Sequence, residues 1–182
     1  MKGGTFMAAL LTCALVMGGC TKDSSSKIVN SYTYKIIGTV TLMADQLMGL
    51  DAATLAAYKA AGVNVDPVIV GLYPEQGQLH IVEPKEAEGR VVLTFNDLLG
   101  NADVADGTYS GSKLTLDENQ AKAVQLTDGK DKIGNGIVSY TGQGEKYDNM
   151  LVIDLVYNGK FTVEGVPMTA VASDVHCVAQ EN

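Results

Sequence analysis

Few side chains in this sequence combine a reactive type with a useful spacing, and the cysteines are the first to consider. Cys20 directly follows Gly18-Gly19 at the end of an apolar run. A thiol behind small residues is what diacylglyceryl transfer and subsequent cleavage act on. Thr12, before Cys13, is larger than such a cleavage site accommodates. The alternative is that Cys20 merely ends a hydrophobic leader. Cys177 lies in Val175-His176-Cys177-Val178-Ala179 and reads as a small buried hydrophobe rather than a reactive thiol. With Cys13 removed and Cys20 acylated, no intrachain disulfide can form.

The two histidines, His80 and His176, belong to no metal-binding spacing such as His-Glu-x-x-His. His80 and Glu83 are odd-spaced on a strand and project to opposite faces. Gly107-Thr108-Tyr109-Ser110-Gly111-Ser112 places serines beside glycines without forming Gly-x-Ser-x-Gly, and no helix follows as a nucleophile elbow requires. It reads as a hairpin turn. Gly134-Asn135-Gly136 and Gly142-Gln143-Gly144 lack the third glycine and the helix of a phosphate loop and read as β-turns. Asp103 with Asp106, and Asp128 with Asp131, read as solvated acidic loops, since neither follows the calcium-loop order. Tyr73, Tyr109, Tyr140, Tyr147 and Tyr157 either line a site or are half-buried sheet tyrosines. No catalytic residue, metal or cofactor is assigned, and an enzyme is not expected.

The segment ahead of Cys20 supplies its address. Lys2 precedes an apolar stretch from Phe6 to Met17, which is the layout of a signal peptide at 1–19. Its 15 residues from Thr5 to Gly19 are too few to span about 30 Å of hydrocarbon, which takes about 20. Residues 20–31 are polar and small at first and read as a lipidated flexible tether. Thr21 is not the aspartate of an inner-membrane retention signal, and Lys22-Asp23 resembles the surface-export signal of Bacteroidetes lipoproteins. The expected location is therefore the outer membrane, lipid-anchored and facing the cell surface or the periplasm.

Charge narrows the partners. The chain carries a formal −8, one lower once Lys2 leaves with the leader. That balance disfavours nucleic acid and anionic headgroups, so membrane contact should come through the lipid.

From Tyr32 onward turn chemistry recurs every 8 to 12 or so residues between runs rich in Val, Ile, Thr, Tyr and Leu, which predicts an all-β sandwich or barrel. Strands are expected at 34–43, 68–73, 79–83, 90–96, 107–112, 113–116, 121–126, 136–141, 150–157, 160–164 and 168–179, some of which must merge or fail. Leu151 to Val163 reads as a hairpin turning at Asn158-Gly159, its first strand central and covered on both faces. One short helix is expected at 51–61, with Asp51 as cap, Leu50 and Leu55 as a hydrophobic staple, and Gly62 at C′. It is either a lid or plug or a plain connection. The remaining 32–182 form one domain.

The Gly-Gly-Cys leader, the Ile37-Gly38-Thr39-Val40 strand core, the alternating hairpins and the ending Ser173 to Ala179 together resemble the calycin-like (lipocalin-like) lipoproteins of Bacteroidetes. That resemblance implies a small antiparallel β-barrel. It carries over no site residue, and the Gly-x-Trp signature of lipocalins is absent because the chain has no tryptophan. The expected function is a cell-envelope lipoprotein binding a small apolar ligand in the barrel. The alternative is a structural or adhesive surface module contacting a glycan or protein partner.

Overall fold

The computed structural model describes residues 26–84, 87–118 and 121–182. The leader and Cys20 lie outside the described residues. Among the described residues ten strands follow one another: β1 Ser26–Ala44, β2 Val68–Leu72, β3 Glu75–Pro84, β4 Arg90–Asp97, β5 Ala102–Ser110, β6 Lys113–Leu116, β7 Lys122–Thr127, β8 Lys132–Tyr147, β9 Met150–Val163 and β10 Val166–Glu181. A 3-10 turn, Asp45–Leu47, and one helix, α1 Ala52–Ala60, separate β1 from β2. β1 begins inside the segment expected as tether.

All ten strands join one antiparallel sheet, and pairing of β10 with β1 closes it into a ring. Two long strands each serve two partners on one edge. The first half of β1 pairs with β3 (Ser26 to Ile36) and its second half with β2 (Thr39 to Leu42). Likewise β8 pairs with β7 up to Val138 and with β6 from Gly142. The ring therefore divides. Between β1 and β8 it runs through β3, β4, β5 and β6 at one end, and through β2 and β7 at the other. Gly38 occupies the changeover in β1, with φ +151° and room for no Cβ, which would lie 2.2 Å from the Asp174 carbonyl oxygen.

Side chains alternate across the sheet as the two-residue period demands. Along β9 the buried residues are Leu151, Ile153, Leu155, Tyr157 and Phe161. β10 contributes Val175, Cys177 and Ala179, and β1 contributes Tyr32, Tyr34, Ile36, Val40 and Leu42. Burying each large apolar side chain contributes about 1.5–3 kcal/mol, so these inward rows hold the ring together. The outward row of β9 is open, with Val156 exposed. β9 is thus central in pairing but covered on one face, not both.

Three local expectations fail against this pairing. Asn158-Gly159 makes no hairpin: β9 runs through it unbroken, Asn158 opposite Ser139 and Gly159 opposite Val138. Gly159 is there for close approach, since a Cβ would lie 2.2 Å from the Ile137 carbonyl oxygen. The segments 134–136 and 142–144 are not turns but lie within β8. Asp103 and Asp106 are not in a loop, because both belong to β5.

The helix forms for the reasons its ends suggest. Asp51 Oδ1 accepts from the Ala53 and Thr54 amides at 2.9 Å each. At the other end Gly62, with φ +82°, lets its amide reach the Lys59 carbonyl and the Val63 amide reach Tyr58, a Schellman motif. No side chain of α1 is buried. It does not plug the interior.

Candidate functional site

The interior is not uniformly apolar. Lys122 opens β7 with its side chain only 7% exposed, and its ammonium reaches Glu75 Oε1 at 2.9 Å and Asp103 Oδ2 at 3.2 Å. Glu75 opens β3 and Asp103 lies on β5, so three strands meet at one cation. Tyr34 on β1 donates to Glu75 at 2.7 Å, and Tyr140 on β8 donates to Asp103 at 2.8 Å. Lys122 also lies 5.9 Å from the centre of the Phe95 ring, which meets Tyr34 edge-on. Burial, and donation to the Glu75 carboxylate, hold the Tyr34 phenol far above its ordinary range. It stays a neutral donor. Tyr157, 5.8 Å from the Tyr140 ring, is likewise kept protonated by burial and then by the charge of Glu75.

Beside this cluster, where the sheet divides, is a cavity of about 470 Å³. Ile36, Glu75 and Tyr157 line it from β1, β3 and β9, with walls from the β2–β3 passage, the β4–β5 turn, β7 and β8. Small-molecule sites fall in the range of about 300–1,000 Å³ and combine apolar walls with few polar groups. The rim is apolar and open: Leu98 is 71% and Leu99 87% exposed, and Tyr73 and Ile137 are exposed too. Asp97 builds the tip that presents both leucines, its carboxylate accepting from the Leu99 and Asn101 amides and from the Asn101 side chain. Those bonds hold its carboxyl below the ordinary range. The Leu98 amide donates to the Gln76 carbonyl and ties the tip to β3. Lys132 caps the Tyr73 ring from 4.7 Å. A second cavity, of about 80 Å³, lies between Tyr32, Ile81 and Tyr109.

The residues singled out from sequence are scattered. His80 faces Ser31 at 3.1 Å. His176 faces outward between Asp154 at 2.7 Å and Asp174 at 3.0 Å, and Asp154 chiefly raises its pKa. Asp103 points inward and Asp106 outward, so they share no ligand. Asp128 caps the β7–β8 turn, accepting from the Lys130 and Asp131 amides. Ser110 and Lys113 flank the two-residue turn Gly111-Ser112, as a hairpin requires. Cys177 is fully buried and its thiol is pushed up to about 12 by burial, so it packs as a hydrophobe. Of the five tyrosines, Tyr73 and Tyr157 line the large cavity, Tyr140 supports Asp103, Tyr109 lines the small one, and Tyr147 is exposed.

Lys122 and Glu75 went unremarked in the sequence, although a signal was present. Lys122 shares strand parity with Val124 and Leu126, Glu75 with Leu79 and Ile81, and Asp103 with Ala105. A charged residue on a core-facing row needs a partner. Compared with known proteins, the chain matches no family model, no curated protein and no solved structure.

Proposed function

We propose that this chain is a non-enzymatic cell-envelope lipoprotein, anchored to the outer membrane through lipid on Cys20, whose closed sheet serves as a small calycin-like barrel for a small, mainly apolar ligand. The observation that carries the reading is the cavity of about 470 Å³ with its exposed rim of Tyr73, Leu98, Leu99 and Ile137. Apolar side chains left in water around a cavity mouth are what an apolar ligand would cover. The anchor reading draws on Lys2, the apolar stretch from Phe6 to Met17 and Gly18-Gly19-Cys20, and Cys20→Ser should abolish incorporation of labelled lipid in cells.

The binding reading is tested with the neutral dye N-phenyl-1-naphthylamine. Saturable, one-to-one fluorescence enhancement is expected. Ala123→Trp, at an exposed position that lines the cavity, should weaken it. Absence of saturable binding to the folded chain would sink the reading. In its place would stand a surface module contacting a glycan or protein partner through the Leu98-Leu99 tip.

A further inference from the structure

The formal charge of −8 is spread unevenly round the ring, and the flank that carries the Leu98-Leu99 tip has little of it. Outward side chains on β3 include Gln76, Gln78 and His80, and those on β4 include Val92, Thr94 and Asn96. None is a carboxylate. Asp97, at the base of the tip, accepts from the turn's own amides, and the outward Asp106 lies one strand further round on β5. β9 stands four strands from β4 in either direction, and there the outward Asp154 meets His176, with Asp174 alongside, in water.

The chain enters the fold on the tip's flank. β1 is next but one to β4, so about 10 Å separate them across the sheet. Ser26 opens β1, and the tip lies level with Lys35, the partner of the Gln76 whose carbonyl accepts from the Leu98 amide. That run of β1 covers about 30 Å at about 3.3 Å per residue. From Cys20 to Ser26 is six residues, a reach of at most about 20 Å. A lipid on Cys20 is therefore close enough to hold this flank, tip included, against a bilayer. Two leucines on one turn fall far short of the roughly 20–30 residues a side of a specific protein interface. Entry into a bilayer asks only for exposed apolar side chains and no matching shape.

We propose that the ring lies on the bilayer along its β1–β3–β4 flank, with Leu98 and Leu99 dipping into the boundary between headgroups and acyl chains and the cavity mouth opening beside it. This rests on the anchor reading above and adds an orientation to it. The contact is apolar and suits a neutral lipid surface, since the net charge of the chain opposes an anionic one. Asp97 and the tie to Gln76 hold the turn in shape, so little ordering is needed when it enters.

The chain contains no tryptophan, so Leu99→Trp places a single fluorophore at the tip. Val156→Trp, also at an exposed position but on β9, is the control. Each full-length variant, purified from the membranes of the cells that make it, is reconstituted into phosphatidylcholine vesicles brominated along the acyl chains. The Leu99→Trp emission should shift to the blue and be quenched by the bromine, while the Val156→Trp emission keeps its wavelength and intensity. If the vesicles carry the chain upward in a density gradient, yet the Leu99→Trp fluorophore is quenched no more than the control, the orientation is overturned and the anchor reading stands. The tip would then be left to a protein or glycan partner. A chain that stays at the bottom of the gradient would remove the anchor reading and the orientation with it.

Discussion

Two interior regions of the same closed sheet are built on opposite principles. Beneath β9 and β10, Leu151, Ile153, Leu155, Val175, Cys177 and Ala179 pack with almost no exposure and no charge among them. Beneath β3, β5 and β7, Glu75, Asp103 and Lys122 hold one another, and Tyr34 and Tyr140 each donate to one of the carboxylates. The first region depends on shape and tolerates exchange of one apolar side chain for another of like volume. The second depends on each member being present, because a buried charge without its partner costs more than the pair returns. The cavity lies against the second region.

The contrast can be broken most strongly at Lys122. Lys122→Met should destabilise the fold by about 3–5 kcal/mol, since it removes the ammonium that both carboxylates share. The loss should be largely recovered when Glu75→Gln and Asp103→Asn are added, a coupling that denaturant unfolding of the single, double and triple variants would measure. Additive losses would mean the cluster is not one unit.

In the apolar region Ile153→Ala should cost about 2–5 kcal/mol by cavity creation, with no rescue from any charge change and little dependence on salt. A salt-sensitive loss there would blur the distinction between the two regions.

The smallest expected effect lies on the outer face of the same strands, where His176 pairs with Asp154 and Asp174 in water. Its folded pKa is raised above the ordinary 6.5, so the folded state holds the proton more tightly than the unfolded chain. The stabilisation is full below about 6.5 and disappears as pH rises through the folded value. Solvent screening keeps it small. The melting temperature of His176→Gln should fall slightly below that of the parent at pH 5.5 and match it at pH 8.5, and an equal gap at both would remove the pair as its cause.

Much of the strand content was legible because alternation is a local property. β6 was expected at 113–116 and is found there, and β4 differs from expectation only at its C-terminal end. Asp51 and Gly62 marked the ends of α1 by chemistry that acts within one turn. Asn158-Gly159 misled because the same dipeptide that favours a turn also suits a point where two backbones crowd, and only the neighbouring strand decides which. The glycines of β8 misled in the same way. The candidate site was legible only as parity: a lysine, a glutamate and an aspartate on core-facing rows, with no indication that they meet.

What the sequence determined by itself is which side chains face inward along each run and where the helix is capped, because a two-residue period and a capping carboxylate need no distant partner. The tertiary structure alone decided that β1 and β8 each serve two partners and that the sheet divides between them. It alone brought residues 34, 75, 103, 122, 140 and 157 together beside one cavity. Strand pairing is a contest among registers across the whole chain. Only the closed ring brings charges that far apart in sequence within hydrogen-bonding distance.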